Sequence, residues 1–462
     1  MALDITCFET LVPSRYITFT IPNPCRESSA HSLLRVAVLD SPHHLDGSSL
    51  VAAIVVPENR EGDWIFCTES GHLQLLISNT PDVSRLILVG RDMFDECDGP
   101  LILHRGSTER KNPLEEIVGP LLLALSPKIC FNDGIPEVPI LKYEDGVIAS
   151  LTLEKCTGVF VGEMLIEDVE LENDDQKFEE REFRRRLRFK RMPNLVQTQV
   201  RIISKSDVQT DIGKARFSID SQVLVHPYLP PMVASLRLVS LHIENQLCVR
   251  MRPKALCLGI GGGALVSFLN GQLGFDVLGV EIDEEVLRVA WQYFGLKKCS
   301  KTVHIISGDA IEIVKKLSDL SVKGNSVSSH CNATCNGYSF EDPFNVIMVD
   351  LDSGDVRNGS IAPPFDFMEK SVISALRSIL CPSGIVVVNV IPSSSSFYSM
   401  LISEFREVFC DLYEIDIGNN ENFILIATVA SVDDYNVNHG NSFMEKLTSV
   451  IPCSYIDTIK KI

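Results

Sequence analysis

The second half of the chain alternates short apolar runs with longer amphipathic ones. Runs at 255–258, 277–280, 303–306, 346–349 and 385–390 are apolar and bounded by glycine, proline or charge. Each predicts a buried strand. Between them, 262–273, 283–294, 310–317, 367–380 and 398–409 predict helices. Leu265, Phe268 and Leu269 share one face of the first of these, as a 3.6-residue period requires. Asp283 is placed to cap the second helix and Gly295 to close it. Two last runs, 414–417 and 423–429, predict an antiparallel pair. Strict β-α alternation implies an α/β class, a Rossmann-like doubly wound sheet that is mostly parallel and seven-stranded over 255–430.

The first half is less regular. Residues 1–166 predict a smaller N-terminal α/β domain, with strands at 51–56 and 85–89 and an amphipathic helix at 113–125 that opens on Pro113. It shows no catalytic constellation. Between 167 and 191, acids (Glu170, Glu172, Asp174, Asp175) give way to bases (Arg181, Arg184, Arg185, Arg186, Arg188, Lys190, Arg191). Interleaved charge of this kind predicts a solvated connector, with an acidic partner's docking surface as the second reading. Residues 192–254 supply lead-in strands and a helix, and 431–462 a C-terminal tail. A Ser/Asn/Cys/Gly-rich insertion at 321–341 predicts a disordered loop. Within it His330, Cys331 and Cys335 lack a second ligand pair, and no metal site is expected.

Composition narrows the classes. The 462 residues are 45% hydrophobic and 22% charged, an ordinary globular balance. A formal net charge of −19 repels phosphate backbones, so no direct nucleic-acid partner is expected. No apolar stretch approaches the ~20 residues needed to span a bilayer, and none at the start reads as a signal peptide. The fourteen cysteines are expected to be reduced thiols of a cytoplasmic protein. Oligomeric state is not legible.

In a doubly wound sheet, ligands lie beyond the C-terminal strand ends. The first strand runs into Gly259, Gly261, Gly262, Gly263 and Ala264, where glycine permits a tight turn and close backbone approach to a ligand. This also satisfies a dinucleotide pattern. After the second strand, Glu281 can accept bonds from both ribose hydroxyls, with Ile282 beside it. Asp283 is equally explained as a ligand contact or a helix cap. After the third, Asp309 and Ala310 stand where an acid accepts a bond from an adenine amino group. This arrangement favours S-adenosylmethionine or its decarboxylated form over NAD. The fourth strand ends in Asp350 and Asp352, placed to orient an amine and accept its proton. Asn389, at the end of the fifth, faces the same crevice or caps a turn.

These residues resemble a known family. Gly259 to Gly263, with Val280-Glu281-Ile282-Asp283, resembles the spermidine-synthase-like class I methyltransferases. The similarity is to the C-terminal half of the methyltransferase-like dual methyltransferases of eukaryotic elongation factor 1-alpha. It extends to Ile347–Ser353, Pro363-Pro364, Arg184 to Gln197, 219–236 and the segment around Trp64. The resemblance implies S-adenosylmethionine as cofactor and an amine of a protein as substrate, the N-terminus of elongation factor 1-alpha above all. Tyr228 is expected to line the pocket and to join Asp350 and Asp352 as a catalytic candidate. The family's lysine-methylating domain has no counterpart before Val51, so that activity is expected to be absent. His226-Pro227-Tyr228-Leu229-Pro230-Pro231 replaces a more polar stretch. Two other readings are an aminopropyltransferase, which would need a further acid after Tyr228, and a non-catalytic adaptor, against which the intact Gly261, Glu281, Asp309 and Asp350 speak.

Overall fold

A computed structural model of the chain describes residues 5–24, 33–42, 50–79, 82–92, 102–104, 113–132, 134–172, 181–205, 211–298, 300–323, 342–353, 362–392, 394–418, 422–432 and 441–462. Its described strands form three sheets.

The first sheet holds β1 (Tyr16–Pro22), β2 (Leu33–Asp40), β3 (Val51–Val55) and β4 (Arg85–Arg91). The expected strands at 51–56 and 85–89 are thus present. The expected helix at 113–125 is broken into Pro113–Ile117 and Gly119–Ala124, because Pro120 cannot donate to the turn before it.

The second sheet is a meander in the order β11-β10-β9-β8-β7-β5, with β5 Ile102–His104. A two-residue β6, Ile140–Leu141, joins the first sheet instead. The meander's long strands are β7 (Val147–Gly158), β8 (Gly162–Leu171), β9 (Glu182–Phe189) and β10 (Met192–Ser204), and β11 (Phe217–Asp220) closes it. The solvated connector expected at 167–191 is therefore not one. Glu167, Asp168 and Glu170 lie on β8 and Arg184, Arg185, Arg186 and Arg188 on β9, paired antiparallel so that Glu167 faces Arg186 and Asp168 faces Arg185; Asp174 and Asp175 fall outside the described residues. Arg185 grips Asp168 at 2.7 and 2.9 Å, and Arg181 grips Glu170 at 2.6 Å. Beneath the charge runs a period of two: Val169, Leu171, Phe183, Leu187 and Phe189 are buried. Opposite charges facing across a strand pair stabilise what a linear reading takes for loop. The predicted boundaries at 166/167 and 191/192 accordingly cut through one sheet. The predicted insertion loop lies almost wholly outside the described residues.

The third sheet has the order β14-β13-β12-β15-β16-β18-β17-β19. Its strands are β12 (Lys254–Leu258), β13 (Asp276–Glu281), β14 (Val303–Ser307), β15 (Phe344–Val349), β16 (Leu380–Val390), β17 (Asp411–Asp416), β18 (Phe423–Thr428) and the two-residue β19 (Lys460–Lys461). Strands β12 to β16 pair in parallel and β16 to β19 antiparallel. The class is the expected doubly wound one, with β19 added to the seven strands read from sequence. Each strand divides its side chains between two cores. Ala255, Cys257, Val277, Val346 and Met348 face one, while Leu256, Leu258, Leu278, Val280, Ile347 and Val349 face the other. The tail at 431–462 belongs to the domain: helix Ser442–Val450 buries Phe443 and Leu447 in the first of these cores. The order places a topological switch between β12 and β15, and a crevice opens beyond their carboxyl ends.

Candidate active site

The loop after β12 is forced to be glycine by its neighbours. At Gly259 φ is +76°, and a Cβ would stand 2.1 Å from the carbonyl oxygen of Asp350. Gly261 has φ +49° and would meet Thr198 Oγ1 at 2.7 Å. Strand β10 of the second sheet thus presses on the loop, and the Gly262 N–H donates to Thr198 Oγ1 at 2.9 Å. Gly259 and Gly261 line a cavity of about 450 Å³ at the switch point. Gly262 and Gly263 do not; Gly262 seats the loop against β10, and Gly263, packed on Leu296, opens helix Ala264–Gly271.

Glu281 ends β13 and is buried against the loop. Its Oε2 accepts from the N–H of Ile260 (3.3 Å) and Gly261 (3.1 Å), and its Oε1 from Ile282 (3.1 Å) and Asp283 (3.3 Å). Burial raises its pKa and these amides pull it back. These four amides occupy the carboxylate's four lone-pair sites, so a hydroxyl in the cavity would share or displace one of the longer bonds. Ile282, Asp309 and Ala310 line the same end. Asp309 also caps its helix, accepting from Glu312 N–H at 2.9 Å.

Asp283 is elsewhere. One oxygen caps the helix Glu284–Tyr293 through Glu285 N–H at 3.0 Å. The other accepts from the Phe160 and Val161 amides at 2.7 and 3.1 Å, at the tip joining β7 to β8. Both oxygens are engaged by protein, and the side chain is not among the cavity's walls. Of the two sequence readings, the structure shows the helix cap.

At the opposite end Asp350, just beyond β15, accepts from the Tyr228 hydroxyl at 2.7 Å and from Asn389 Nδ2 at 3.0 Å. Asn422 Nδ2 donates to Asn389 Oδ1 at 3.2 Å, which fixes that amide's orientation. Burial raises the pKa of Asp350; the two donors lower it, and Asp352 raises it again. Burial and the facing carboxylate lift Tyr228 well above the usual phenol value, so it remains a donor. His226 packs against Tyr228 with ring centroids 4.4 Å apart and planes tilted by 51°, and its Nε2 lies 2.9 Å from the Val196 carbonyl. Burial lowers its pKa to about 4, so the ring is neutral and Nε2 carries the proton.

Asp352 lines the cavity too, but Arg191 holds it at 3.0 Å. Among the described residues, Asp350 has no cationic partner and Asp352 is half of an ion pair. Sequence reasoning missed Gln197, whose buried Nε2 has no protein partner, together with Arg191, Phe160 and Asn422. The first two lay at or beyond the edge of the supposed connector, and only their place on β9–β10 brings them to the crevice. Phe160 carries a signal in retrospect: an aromatic inside a Gly-X₃-Gly turn, Gly158 to Gly162.

No protein-family model matches the chain. It is 25% identical over 435 residues to the eEF1A lysine and N-terminal methyltransferase of Bos taurus, covering 88% of this chain and 55% of that one. It is 26% identical over 400 residues to the Homo sapiens protein of the same name, covering 81% and 50%. The chain thus spans about half the length of these relatives. Among solved structures, human methyltransferase-like protein 13 in complex with SAH is 24% identical with a TM-score of 0.40, covering 49% of this chain and 92% of that one. A spermidine synthase in complex with AdoDATO is 12% identical with a TM-score of 0.35, covering 66% and 87%.

Proposed function

We propose that the chain is an S-adenosylmethionine-dependent methyltransferase acting on an amine of a protein, with the N-terminus of elongation factor 1-alpha as its substrate. The observation that carries the reading is Asp350, held by Tyr228 and Asn389 beside Gly259 in a cavity that Gly261, Glu281 and Asp309 also line. The similarity to relatives named for methylation of eEF1A supports the substrate.

The cavity fits the cofactor. About 450 Å³ lies in the range of small-ligand sites. Glu281 lines the cavity where ribose hydroxyls would replace its longer amide bonds, Asp309 offers an acceptor to an adenine amine, and the Gln197 amide a donor. When bound, the cofactor supplies an electrophilic methyl on a sulfonium, which leaves as a neutral thioether. The protein has to align the amine, keep its lone pair free and exclude water. Asp350 holds the amine through one N–H and takes the proton released as the N–C bond forms. Tyr228 and Asn389 fix the carboxylate's rotamer. Arg191 neutralises Asp352, which leaves one net negative charge facing the amine.

Aminopropyl transfer is disfavoured by the same pair, because a diamine needs a second free acid and Asp352 is engaged.

Glu281→Ala is expected to weaken cofactor binding by about 1–3 kcal/mol, the cost of leaving hydroxyl partners unpaired. Calorimetry with S-adenosylhomocysteine checks this, and unaltered affinity would remove Glu281 from the site. Substrate identity is tested by incubating the protein with methyl-labelled S-adenosylmethionine and an extract lacking the endogenous copy. A labelled band at the size of elongation factor 1-alpha is expected. Label confined to small molecules would overturn the protein-amine assignment.

A further inference from the structure

The tip joining β7 to β8 is an exposed apolar feature held with unusual firmness. Val159 is 89% exposed and Phe160 61%, yet Phe160 also lines the cavity. The next residue, Val161, is buried with Val286, Val289 and Phe294. The amides of Phe160 and Val161 are both bound by one oxygen of Asp283, itself 1% exposed. Gly158 completes the seat, since a Cβ there would lie 2.4 Å from that oxygen. Asp283 is also two residues beyond Glu281, whose carboxylate binds the Asp283 amide. The tip is therefore fixed to the ribose-facing end of the crevice, away from Asp350.

We propose that this tip roofs the nucleoside half of the cofactor site, with Phe160 packing on the bound nucleoside and Asp283 as the positioning residue that holds it there. The inference rests on the cofactor reading above. It explains why an aromatic ring is kept exposed in the free protein: its apolar face is covered only when the cavity fills. It also divides the Glu281-Ile282-Asp283 segment into two tasks, one carboxylate for the ligand and one for the roof.

Two variants test it in the full-length chain by calorimetry with S-adenosylhomocysteine. Phe160→Ala removes only an exposed ring, and binding is expected to weaken about tenfold. Asp283→Asn keeps an oxygen to cap the helix but turns an NH₂ toward two amide donors, which releases the tip. It too is expected to weaken binding about tenfold, with the loss carried by the KM for the cofactor rather than by kcat. Near-native melting in both variants keeps the comparison clean. Unchanged affinity in Phe160→Ala, or a rise only in the KM for the protein substrate, would overturn the roof. Loss in Asp283→Asn alone would overturn it equally, since Asp283 would then be acting through Glu281. No binding by the wild-type chain would instead overturn the cofactor reading, and the roof with it.

Discussion

Asp350→Asn is expected to lower kcat by about 10²–10⁴-fold, the range for losing a positioned proton acceptor, while S-adenosylhomocysteine still binds. Asparagine keeps the shape and can still accept from Tyr228, at the expense of the bond from Asn389, but it cannot take a proton from the attacking amine. Folding should not suffer. Burial raises the pKa of Asp350, so its ionised form is disfavoured in the folded chain. A raised carboxyl binds its proton more tightly when folded. Its effect on stability is thus most favourable below its unfolded value of about 3.8 and is lost as pH climbs through the higher folded value. The neutral amide avoids that loss, so the variant should melt within a few degrees of wild type. The same shift sets the acid limb of activity: kcat/KM should fall on acidification at a pH above the ordinary carboxylate range. A variant retaining full kcat would remove Asp350 from the chemistry.

Arg188→Ala is expected to cost about 3–5 kcal/mol, the penalty for breaking a buried ion cluster from one side. Arg188 lies inside the second sheet, 3.0 Å from Asp63, 2.9 Å from Glu167 and 3.0 Å from the Pro193 carbonyl. Asp63 follows β3, caps helix Trp64–Cys67 and is also held by Arg60 at 2.8 Å. One guanidinium therefore ties the first sheet to the second. Burial alone would raise Asp63, but Arg188 and Arg60 more than reverse it and hold it well below its usual range. A depressed carboxyl contributes stability that is complete above its unfolded value of about 3.8 and is lost as pH falls toward the folded one. Arg188→Ala should flatten that acid dependence as well as lower the urea midpoint. A change below about 1 kcal/mol would place the cluster with solvated surface pairs.

How much of this is legible in the sequence depends on where each residue finds its partner. Strands β12 to β16 were legible because they are buried on both faces, so their partners impose one uninterrupted apolar demand. The glycine turn, Glu281 and Asp350 were legible because strand ends in this topology converge on one crevice. Strands β8 and β9 were not. Their stability comes from Asp168 facing Arg185 and Glu167 meeting Arg188 and Arg186 across the pairing, and a run of charge looks the same whether or not its counterpart lies alongside. Asp283 shows how local reading leaves a choice open. Its place near Glu281 suggested a ligand contact, but its second oxygen is claimed by a tip more than a hundred residues away in the chain. Asp352 was likewise read as free because nothing local reveals Arg191 reaching across from β9's end.

The most direct test of the account is methyl transfer from S-adenosylmethionine to a peptide carrying the N-terminal sequence of elongation factor 1-alpha with a free α-amine, read by mass spectrometry. The account predicts methylated peptide with the wild-type chain, modified at the α-amine and strongly reduced with Asp350→Asn. Cofactor binding without any methylated peptide, or equal methylation by wild type and Asp350→Asn, would contradict it.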